Sequence, residues 1–148
     1  MKDQKGFTII ELIVVIAIIA VLASIVLVNV TQYINKGKDA AIQGNLTSIM
    51  TNAAIYFDTC GQYTANSGSA ITSCQTAFQA SSSYTVPVAA ITAMNKAVAQ
   101  NINATNYCVC STLYNATNGT YCIDSTGYKK ATNTACSTRC PTGGACTD

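Results

Sequence analysis

Residues 6–28 of the chain read GFTIIELIVVIAIIAVLASIVLV, an apolar run with one acidic side chain, Glu11, near its start. Only Ser24 interrupts the run between Leu12 and Val28. A helix of about 20 predominantly apolar residues can cross the hydrocarbon core of a bilayer, so this stretch predicts a membrane-spanning helix. A carboxylate in such a helix costs about 2.5 kcal/mol or more at the bilayer centre and less near its edge. Glu11 is therefore expected to have a partner.

The flanks of the run indicate a retained segment whose N-terminus lies in the cytoplasm. Lys2 and Lys5 precede the run, and positive charge marks the cytoplasmic side of a membrane segment. A cleavable signal peptide has an apolar core of about 7 to 15 residues, followed by small residues at its cleavage site. Here the apolar core is longer and Ala23 and Ser24 lie inside it, so cleavage after this segment is not expected.

Apolar residues continue at helical spacing beyond the run, which predicts a single helix over residues 7–58. Its apolar face is formed by Ile34, Ala41, Ile42, Leu46, Ile49, Ala53 and Tyr56. With a rise of 1.5 Å per residue, such a helix is about 80 Å long. Its second half must bury this face in a soluble domain. Gly37 and Gly44 weaken the helix by up to about 1 kcal/mol each and mark points where it could bend or be approached closely.

The rest of the soluble part is predicted to contain a short helix and a small antiparallel sheet. Residues 88–100 form a candidate helix with Pro87 in its first turn. Runs rich in β-branched and aromatic residues predict strands at 106–114, 120–124 and 128–131. The pair Asn118-Gly119 is a hairpin turn signal. The sequence therefore predicts an α+β fold in which a three-stranded meander packs on the second half of the long helix.

All eight cysteines lie beyond the apolar run. They are Cys60, Cys74, Cys108, Cys110, Cys122, Cys136, Cys140 and Cys146. An even number of cysteines in a small exported domain predicts a disulfide framework. Cys108 and Cys110 point to the same face of one strand, so we expect Cys122 on the next strand to pair with one of them. The other must then reach the 60–74 loop or the C-terminal tail.

Two alternatives to a disulfide framework are free buried thiols and a four-cysteine zinc site. The short spacings at 108–110 and 136–140 suggest the zinc site. The chain has no histidine, however, and these spacings differ from the usual pair of C-x2-C motifs. An exported domain also meets oxidising conditions, which favour disulfides.

Charge and composition exclude other classes of function. The chain has 8 Lys+Arg and 6 Asp+Glu, a net charge of +2. It has no basic run that could follow a phosphate backbone, so no direct nucleic-acid site is expected. With no histidine and no Gly-rich phosphate loop, neither a nucleophile with its base nor a metal site can be assembled. The chain is predicted not to be an enzyme and to hold no cofactor or metal.

The stretch GFTIIELIVVIAIIAVLAS resembles the N-terminal motif of type IV pilins and related pseudopilins, with a specific likeness over residues 5–39. The resemblance implies a lollipop-shaped α+β subunit with a long N-terminal helix, a variable sheet and a disulfide-closed C-terminal region. It implies that a prepilin peptidase cuts between Gly6 and Phe7 and methylates the new N-terminus. Glu11 matches the family's glutamate, which implies that in a filament it pairs with the terminal amine at Phe7 of a neighbouring subunit.

The same resemblance implies an organisation and a role for the whole chain. Residues 1–6 are the leader, 7–30 the half of the helix in the membrane or filament core, and 31–148 the head. The implied role is a structural subunit of a type IV pilus, a helical homo-oligomer that supports adhesion, twitching motility or DNA uptake. The implied partners are the prepilin peptidase and the ATPase and platform of the assembly machinery. The implied location is the inner membrane, as a single-pass protein, and then the extracellular filament.

A major pseudopilin of a type II secretion system is the alternative role. Such proteins tend to carry an acidic calcium loop near the C-terminus, whereas here the only acidic residues after residue 60 are Asp124 and Asp148. The chain also departs from the family, because many members have a glycine and a proline where Ala20 and Val28 stand. Without that proline an unbroken apolar helix is expected. The eight cysteines exceed the single C-terminal bridge common in the family.

Overall fold

The computed structural model describes residues 6–115, 119–141 and 143–147. The elements, in chain order, are α1 (Ile9–Cys60), α2 (Ser82–Ala93), β1 (Val98–Ile102), β2 (Tyr107–Thr112), β3 (Thr120–Asp124), β4 (Lys129–Thr132) and α3 (Cys136–Arg139), with 3-10 turns at Thr72–Cys74 and Phe78–Ala80. The predicted α+β class, with a long N-terminal helix and a small antiparallel sheet, is confirmed. The chain divides into two compact units, the first ending at Asn35 and the second beginning at Lys36.

In the first unit, the apolar run from Ile9 onward forms the first part of α1, and its described side chains are exposed. The helix agrees with the predicted range 7–58 to within two residues at each end and passes Ala20 and Val28 without a break, as expected for a helix that lacks proline. Among the described residues, α1 is the one helix that is long and apolar enough to cross a membrane.

In the second unit, α1 buries one face in the core. Ile42, Leu46, Ile49 and Ala53 recur at spacings of three and four residues and are fully buried. Side chains from the turns, from α2 and from the sheet complete this core, among them Tyr63, Phe78, Tyr84, Ile91, Tyr107, Val109 and Ile123. The predicted apolar face is therefore confirmed over most of its length.

The ends and the glycines of that face differ from the prediction. Ile34 and Ala41 are exposed, so the buried stripe begins at Ile42. A Cβ atom added at Gly37 or Gly44 would meet nothing within 4 Å. Within the described chain, therefore, nothing approaches α1 closely at these two glycines.

The second helix begins earlier than predicted, and proline lies inside it. α2 spans Ser82–Ala93, so Pro87 is an interior residue and not part of the first turn. Proline has no N–H, so Pro87 cannot donate to the carbonyl of Ser83 four residues before it. The side chain of Asn52 on α1 donates to that carbonyl at 2.9 Å instead. A contact between helices thus replaces the hydrogen bond that Pro87 removes.

The predicted continuation of this helix to residue 100 is wrong, because the chain turns into a strand. Asn95 has φ +58°, the left-handed conformation in which helices commonly end and which asparagine tolerates. β1 then begins at Val98 and pairs antiparallel with β2. The sheet has four strands in the order β1-β2-β3-β4, all antiparallel, and not three. The other strands follow the predicted ranges closely, while Asn118 of the predicted turn lies outside the described residues.

The two faces of the sheet are covered by different parts of the chain. Tyr107, Val109 and Ile123 face the core that contains α1. Residues one position away along the strands, Cys108, Cys110 and Cys122, are fully buried in a separate cluster with cysteines of the tail. Side chains alternate between the faces of a strand, so this one short sheet has an apolar face and a cysteine face.

The cysteines form four disulfides, so the predicted disulfide-rich head is confirmed. The pairs are Cys60–Cys74, Cys108–Cys140, Cys110–Cys136 and Cys122–Cys146. The expected pairing of Cys122 with Cys108 or Cys110 is wrong. Cys110 and Cys122 lie directly opposite on neighbouring strands. Opposite residues have Cβ atoms about 4.5 to 5.5 Å apart, whereas a disulfide needs about 3.5 to 4.5 Å, so these sulfurs pair with the tail that crosses over them.

Two buried charged side chains hold the tail against the cysteine face. Arg139 is fully buried and donates to the carbonyls of Lys130 and Thr147 and to the hydroxyls of Thr120 and Tyr128. The carboxylate of Asp124 accepts hydrogen bonds from the amides of residues 126, 128 and 146. The β3–β4 turn and the end of the tail are therefore fixed to each other.

Candidate functional site

The first turn of α1 is closed by a reciprocal pair of hydrogen bonds between Thr8 and Glu11. The backbone N–H and the hydroxyl of Thr8 donate to Oε2 of Glu11 at 2.9 Å and 2.8 Å. The N–H of Glu11 donates to the Thr8 hydroxyl at 3.3 Å. This is a capping box, in which a Thr at the N-cap and a Glu three residues later satisfy the free amides at the start of a helix.

The capping box gives the carboxylate of Glu11 a partner inside its own chain. The negative charge also lies at the positive end of the helix dipole, which favours it. Both bonds that the carboxylate accepts use Oε2, and among the described residues Oε1 of Glu11 accepts none. One carboxylate oxygen is therefore available to a donor from outside the chain.

Gly6 and Phe7 lie before the first helical residue, where a peptidase can reach the backbone. Both are exposed, and neither belongs to a helix or strand. A Cβ atom at Gly6 would meet nothing within 4 Å, so the described structure leaves the Gly6–Phe7 bond uncovered. Residues 1–5 of the predicted leader, Lys2 and Lys5 among them, lie outside the described residues.

Most of the large apolar side chains from Phe7 to Val30 are exposed in the described structure. Their exposed fractions range from 45% at Val30 to 81% at Phe7. They are Phe7, Ile9, Ile10, Leu12, Ile13, Val14, Val15, Ile16, Ile18, Ile19, Val21, Leu22, Ile25, Val26, Leu27 and Val30. An exposed apolar surface of this size is a site for a membrane or for other protein chains.

Two side-chain hydroxyls of this segment donate hydrogen bonds to backbone carbonyls of α1 itself. Ser24 donates to the carbonyl of Val21 at 2.7 Å and Thr31 donates to that of Leu27 at 3.2 Å. These bonds remove two donors that would otherwise be costly in an apolar environment. The carboxylate of Glu11 is thus the distinctive polar group of the apolar run.

The cysteine cluster does not provide a metal site. The sulfurs of Cys108, Cys122 and Cys140 lie within 4.8 Å of one another, which is close enough to hold an ion. Each sulfur is already joined to another cysteine, however, and none of the cysteines is free. Zinc binds the thiolate form, which a disulfide sulfur lacks, so the zinc alternative does not fit this arrangement.

Sequence reasoning singled out Glu11 but missed Thr8. The signal was present, because Thr8-Ile9-Ile10-Glu11 has the T-x-x-E spacing of a capping box directly before an apolar helical run. The charge of Glu11 in an apolar segment indicates a partner for this side chain but does not by itself point to Thr8. The structure adds a local role for the same side chain.

Comparison with known proteins gives likenesses that cover part of the chain. The family model described as the prokaryotic N-terminal methylation motif matches residues 1–27. The type IV major alpha-pilin of Moraxella bovis is 45% identical over 58 residues, which cover 38% of this chain and 36% of that protein. Fimbrial protein Q of Moraxella bovis is 45% identical over 58 residues, which cover 38% of this chain and 37% of that protein.

A third relative extends the match further along the chain. The type IV wide pilus major component PilA4 of Thermus thermophilus is 34% identical over 71 residues, which cover 48% of this chain and 54% of that protein. The chain therefore matches about a third to about a half of the length of these curated relatives. No solved structure matches.

Proposed function

We propose that this pilin-like chain, which carries the prokaryotic N-terminal methylation motif, is a structural subunit of a type IV pilus filament. The observation that carries the proposal is the exposed apolar surface of α1, interrupted by a single carboxylate at its start. Lipid covers such a surface before assembly, and neighbouring helices cover it afterwards. Adhesion, twitching motility or DNA uptake then follow from the filament as a whole.

The processing step belongs to the same proposal. A prepilin peptidase cuts between Gly6 and Phe7, which are exposed and non-helical, and methylates the new amine at Phe7. The mature subunit stays in the inner membrane as a single-pass protein until the assembly ATPase and platform add it to the extracellular filament. The match of the methylation motif to residues 1–27 supports this step.

In the filament, we expect Glu11 to pair with the amine at Phe7 of a neighbouring subunit. The free Oε1 leaves room for that bond while Oε2 keeps the Thr8 donors. An unpaired carboxylate and an unpaired ammonium are each costly among apolar helices, and pairing relieves both. Apolar helices slip along one another easily, so this pair fixes the axial position of each subunit.

The alternative is a major pseudopilin of a type II secretion system. Such proteins tend to carry an acidic calcium loop, so the acidic residues of this chain can be compared with that feature. Here Asp124 is buried and its two oxygens accept hydrogen bonds from residues 126, 128 and 146. Among the described residues no group of three carboxylates converges on a point. These observations support the pilin over the pseudopilin.

The proposal is tested on filaments sheared from cells that express the chain. We expect long surface filaments whose main protein, by mass spectrometry, begins at N-methylated Phe7. Filaments whose subunit begins at Met1 would contradict the processing step. The absence of surface filaments from cells that export and process the chain would contradict the pilus role and favour the secretion alternative.

A substitution at Glu11 tests the pairing in the filament. Glu11→Val should insert into the membrane at least as well as the natural chain, because a buried charge is removed, yet its filament yield should fall severalfold. The measurement is sheared filament protein relative to subunit in the membrane. Asp58→Ala, which removes an exposed carboxylate of the second unit, is the matched control and should leave the yield unchanged. A normal yield from Glu11→Val would refute the pairing.

A further inference from the structure

Two lysines of the second unit converge on one tyrosine ring. The Nζ of Lys38, on α1, lies 4.9 Å from the centroid of the Tyr114 ring, and the Nζ of Lys96 lies 4.1 Å from it. Lys96 also donates to the carbonyl of Leu113 at 3.0 Å, and the hydroxyl of Tyr114 donates to the carbonyl of Met94. The ring is therefore held in place, and two charges are held close together beside it.

A nearby carboxylate offsets part of this positive charge. Asp39 is buried, and its two oxygens accept hydrogen bonds from the amides of Tyr114 and Asn115 at 2.6 Å and 3.0 Å. These bonds fix the backbone beside the ring. One carboxylate stands against the two lysines, so the cluster of Lys38, Lys96 and Asp39 keeps a net positive charge on a rigid base.

Chain connectivity limits how far this cluster can lie from the membrane when the apolar run is inserted. Lys38 follows Val30 by eight residues, so even a fully extended chain would allow a separation of only about 28 Å. Tyr33, in between, is 71% exposed, and tyrosine is enriched at the level of the lipid headgroups. Lys38 is therefore within reach of the bilayer surface.

We propose that Lys38, Lys96 and Tyr114 form a surface that binds the anionic headgroups of phospholipids in the membrane that holds the unassembled subunit. Lysines near an anionic leaflet are attracted to it, and an aromatic ring beside them suits the polar interface. The inference rests on the membrane-inserted stage of the proposed function and not on filament formation. Its consequence is that anionic lipid orients the second unit before assembly.

A neighbouring subunit is a less suitable partner for the same charges. Of the acidic residues that the structure describes in the second unit, Asp39 and Asp124 are buried, which leaves Asp58 exposed. The described part of a neighbour's second unit would thus offer one exposed carboxylate to Lys38 and Lys96, whereas an anionic leaflet presents many phosphates. The lipid surface therefore matches the charge better than a second copy of the chain does.

The test compares how fast individual lysines of the full chain react with an acetylating ester. The chain is inserted in nanodiscs made of phosphatidylcholine alone or of an equimolar mixture with phosphatidylglycerol, and each lysine is read by mass spectrometry. Attraction to an anionic leaflet favours the charged form of a nearby lysine over its neutral form by a factor of about five. Only the neutral amine reacts with the ester. We therefore expect Lys38 and Lys96 to react about fivefold more slowly in the anionic nanodiscs, an effect that about 1 M salt removes.

Lys129 on β4 is the internal control, and its rate should be the same in the two kinds of nanodisc. Equal rates for Lys38 and Lys96 in both would overturn the proposal. So would slowing that appears only in assembled filaments, since that pattern assigns the surface to a neighbouring subunit. A chain that fails to enter nanodiscs at all would overturn the membrane-inserted stage of the proposed function and this inference with it. Equal rates in a chain that does enter would overturn this inference alone, so the two failures are distinguishable.

A variant pair confirms which lysines carry the effect. Lys38→Gln with Lys96→Gln should lower the ratio of phosphatidylglycerol to phosphatidylcholine that stays bound to the detergent-extracted chain in native mass spectrometry. Lys129→Gln with Lys130→Gln removes the same charge elsewhere and should leave the ratio unchanged. Lys38→Arg with Lys96→Arg keeps the charge and should preserve the ratio, which separates charge from a change in folding. An equal loss in the control pair would overturn the proposal.

Discussion

The hydrogen bonds between Thr8 and Glu11 have two local effects. The start of α1 needs acceptors for its free amides, and an acidic side chain in an apolar segment needs donors. The capping box supplies both, so Glu11 has hydrogen-bond donors within its own chain and does not depend on a neighbouring chain for them. The partner that the sequence demands for Glu11 therefore exists within the chain, in addition to the one proposed in the filament.

Replacing Thr8 tests this local role. Thr8→Val removes the hydroxyl and should weaken the helix start by about 1 kcal/mol, the usual loss for an N-cap. In detergent micelles, the amides of residues 8 and 11 should then exchange their hydrogens about fivefold faster, as measured by NMR. Thr8→Ser keeps the hydroxyl and should exchange at nearly the natural rate. Indistinguishable exchange in the Val and Ser variants would show that the hydroxyl does not close the turn.

Two tyrosines should respond in opposite directions to the loss of one oxygen. Tyr84 is buried and its hydroxyl has no hydrogen-bond partner among the described residues, so Tyr84→Phe should raise the free energy of unfolding by up to about 1 kcal/mol. The hydroxyl of Tyr56 donates to the carbonyl of Thr76, so Tyr56→Phe should lower it by about 1 kcal/mol. Urea unfolding with the disulfides intact measures both. A loss of stability in Tyr84→Phe would contradict the structure at this site.

The same phenols predict how stability depends on alkaline pH. Burial raises the pKa of Tyr84 above the ordinary value of 10.0, and it also raises the pKa of Tyr56. A pKa that is higher in the folded state gives a stability that is complete below the pKa of the unfolded chain and is lost as the pH rises beyond it. Stability should therefore fall above about pH 10, and it should fall less steeply in Tyr84→Phe.

At the scale of helices and strands, the sequence predicts an element well where local side-chain patterns determine its position. The buried stretch of α1 is predicted closely because the 3.6-residue period of its apolar face is visible in the sequence. The strands β2, β3 and β4 are predicted closely because β-branched and aromatic residues cluster there between turn signals, although both faces of β2 and β3 are covered. The sequence places α2 too late because proline is common in the first turn of a helix, whereas Pro87 lies in the interior of α2. The carbonyl that this proline leaves free is satisfied by Asn52, which lies on another helix, and no local pattern reveals that contact.

A double-mutant cycle tests the contact between α1 and α2. Asn52→Ala should destabilise the second unit by about 0.5 to 1 kcal/mol, because the carbonyl of Ser83 loses its donor. Pro87→Ala restores a backbone N–H to that carbonyl, so Asn52→Ala should have much less effect in that background. Thermal unfolding measures all four chains. Asn45→Ala is the control, since Asn45 donates only within α1, to the carbonyl of Ala41. Equal effects of Asn52→Ala in both backgrounds would refute the exchange of donors.

At the scale of the whole molecule, the cysteines show what the sequence could not predict. Their number and distribution predicted a disulfide-rich head, and the strand assignment correctly put Cys108 and Cys110 on one face. The pairing depends on where the tail crosses the sheet, and the tail has too few apolar residues to show its position in the sequence. It is held there by contacts distant along the chain, such as those of Arg139 with β3 and β4.

The pairing can be read from tryptic peptides prepared without reduction. Cys60 and Cys74 should remain bridged within peptide 39–96, and no free thiol should be detected after denaturation. Peptide 97–129 should be joined by one bridge to 131–139 and by two bridges to 140–148. Fragmentation that shows Cys122 bonded inside peptide 97–129 would contradict the structure. Eight reactive thiols would contradict the disulfide framework itself.

The cover that the tail forms over the cysteine face has a consequence for the order in which the disulfides can form. Each cysteine of that face has its partner after residue 135, whereas the partners Cys60 and Cys74 are only 14 residues apart. Oxidation of a growing chain therefore has an early stage and a late one, and the late stage requires the end of the chain. A chain that stops before Cys136 leaves three strand thiols without their native partners, so free thiols distinguish an incomplete chain from a complete one.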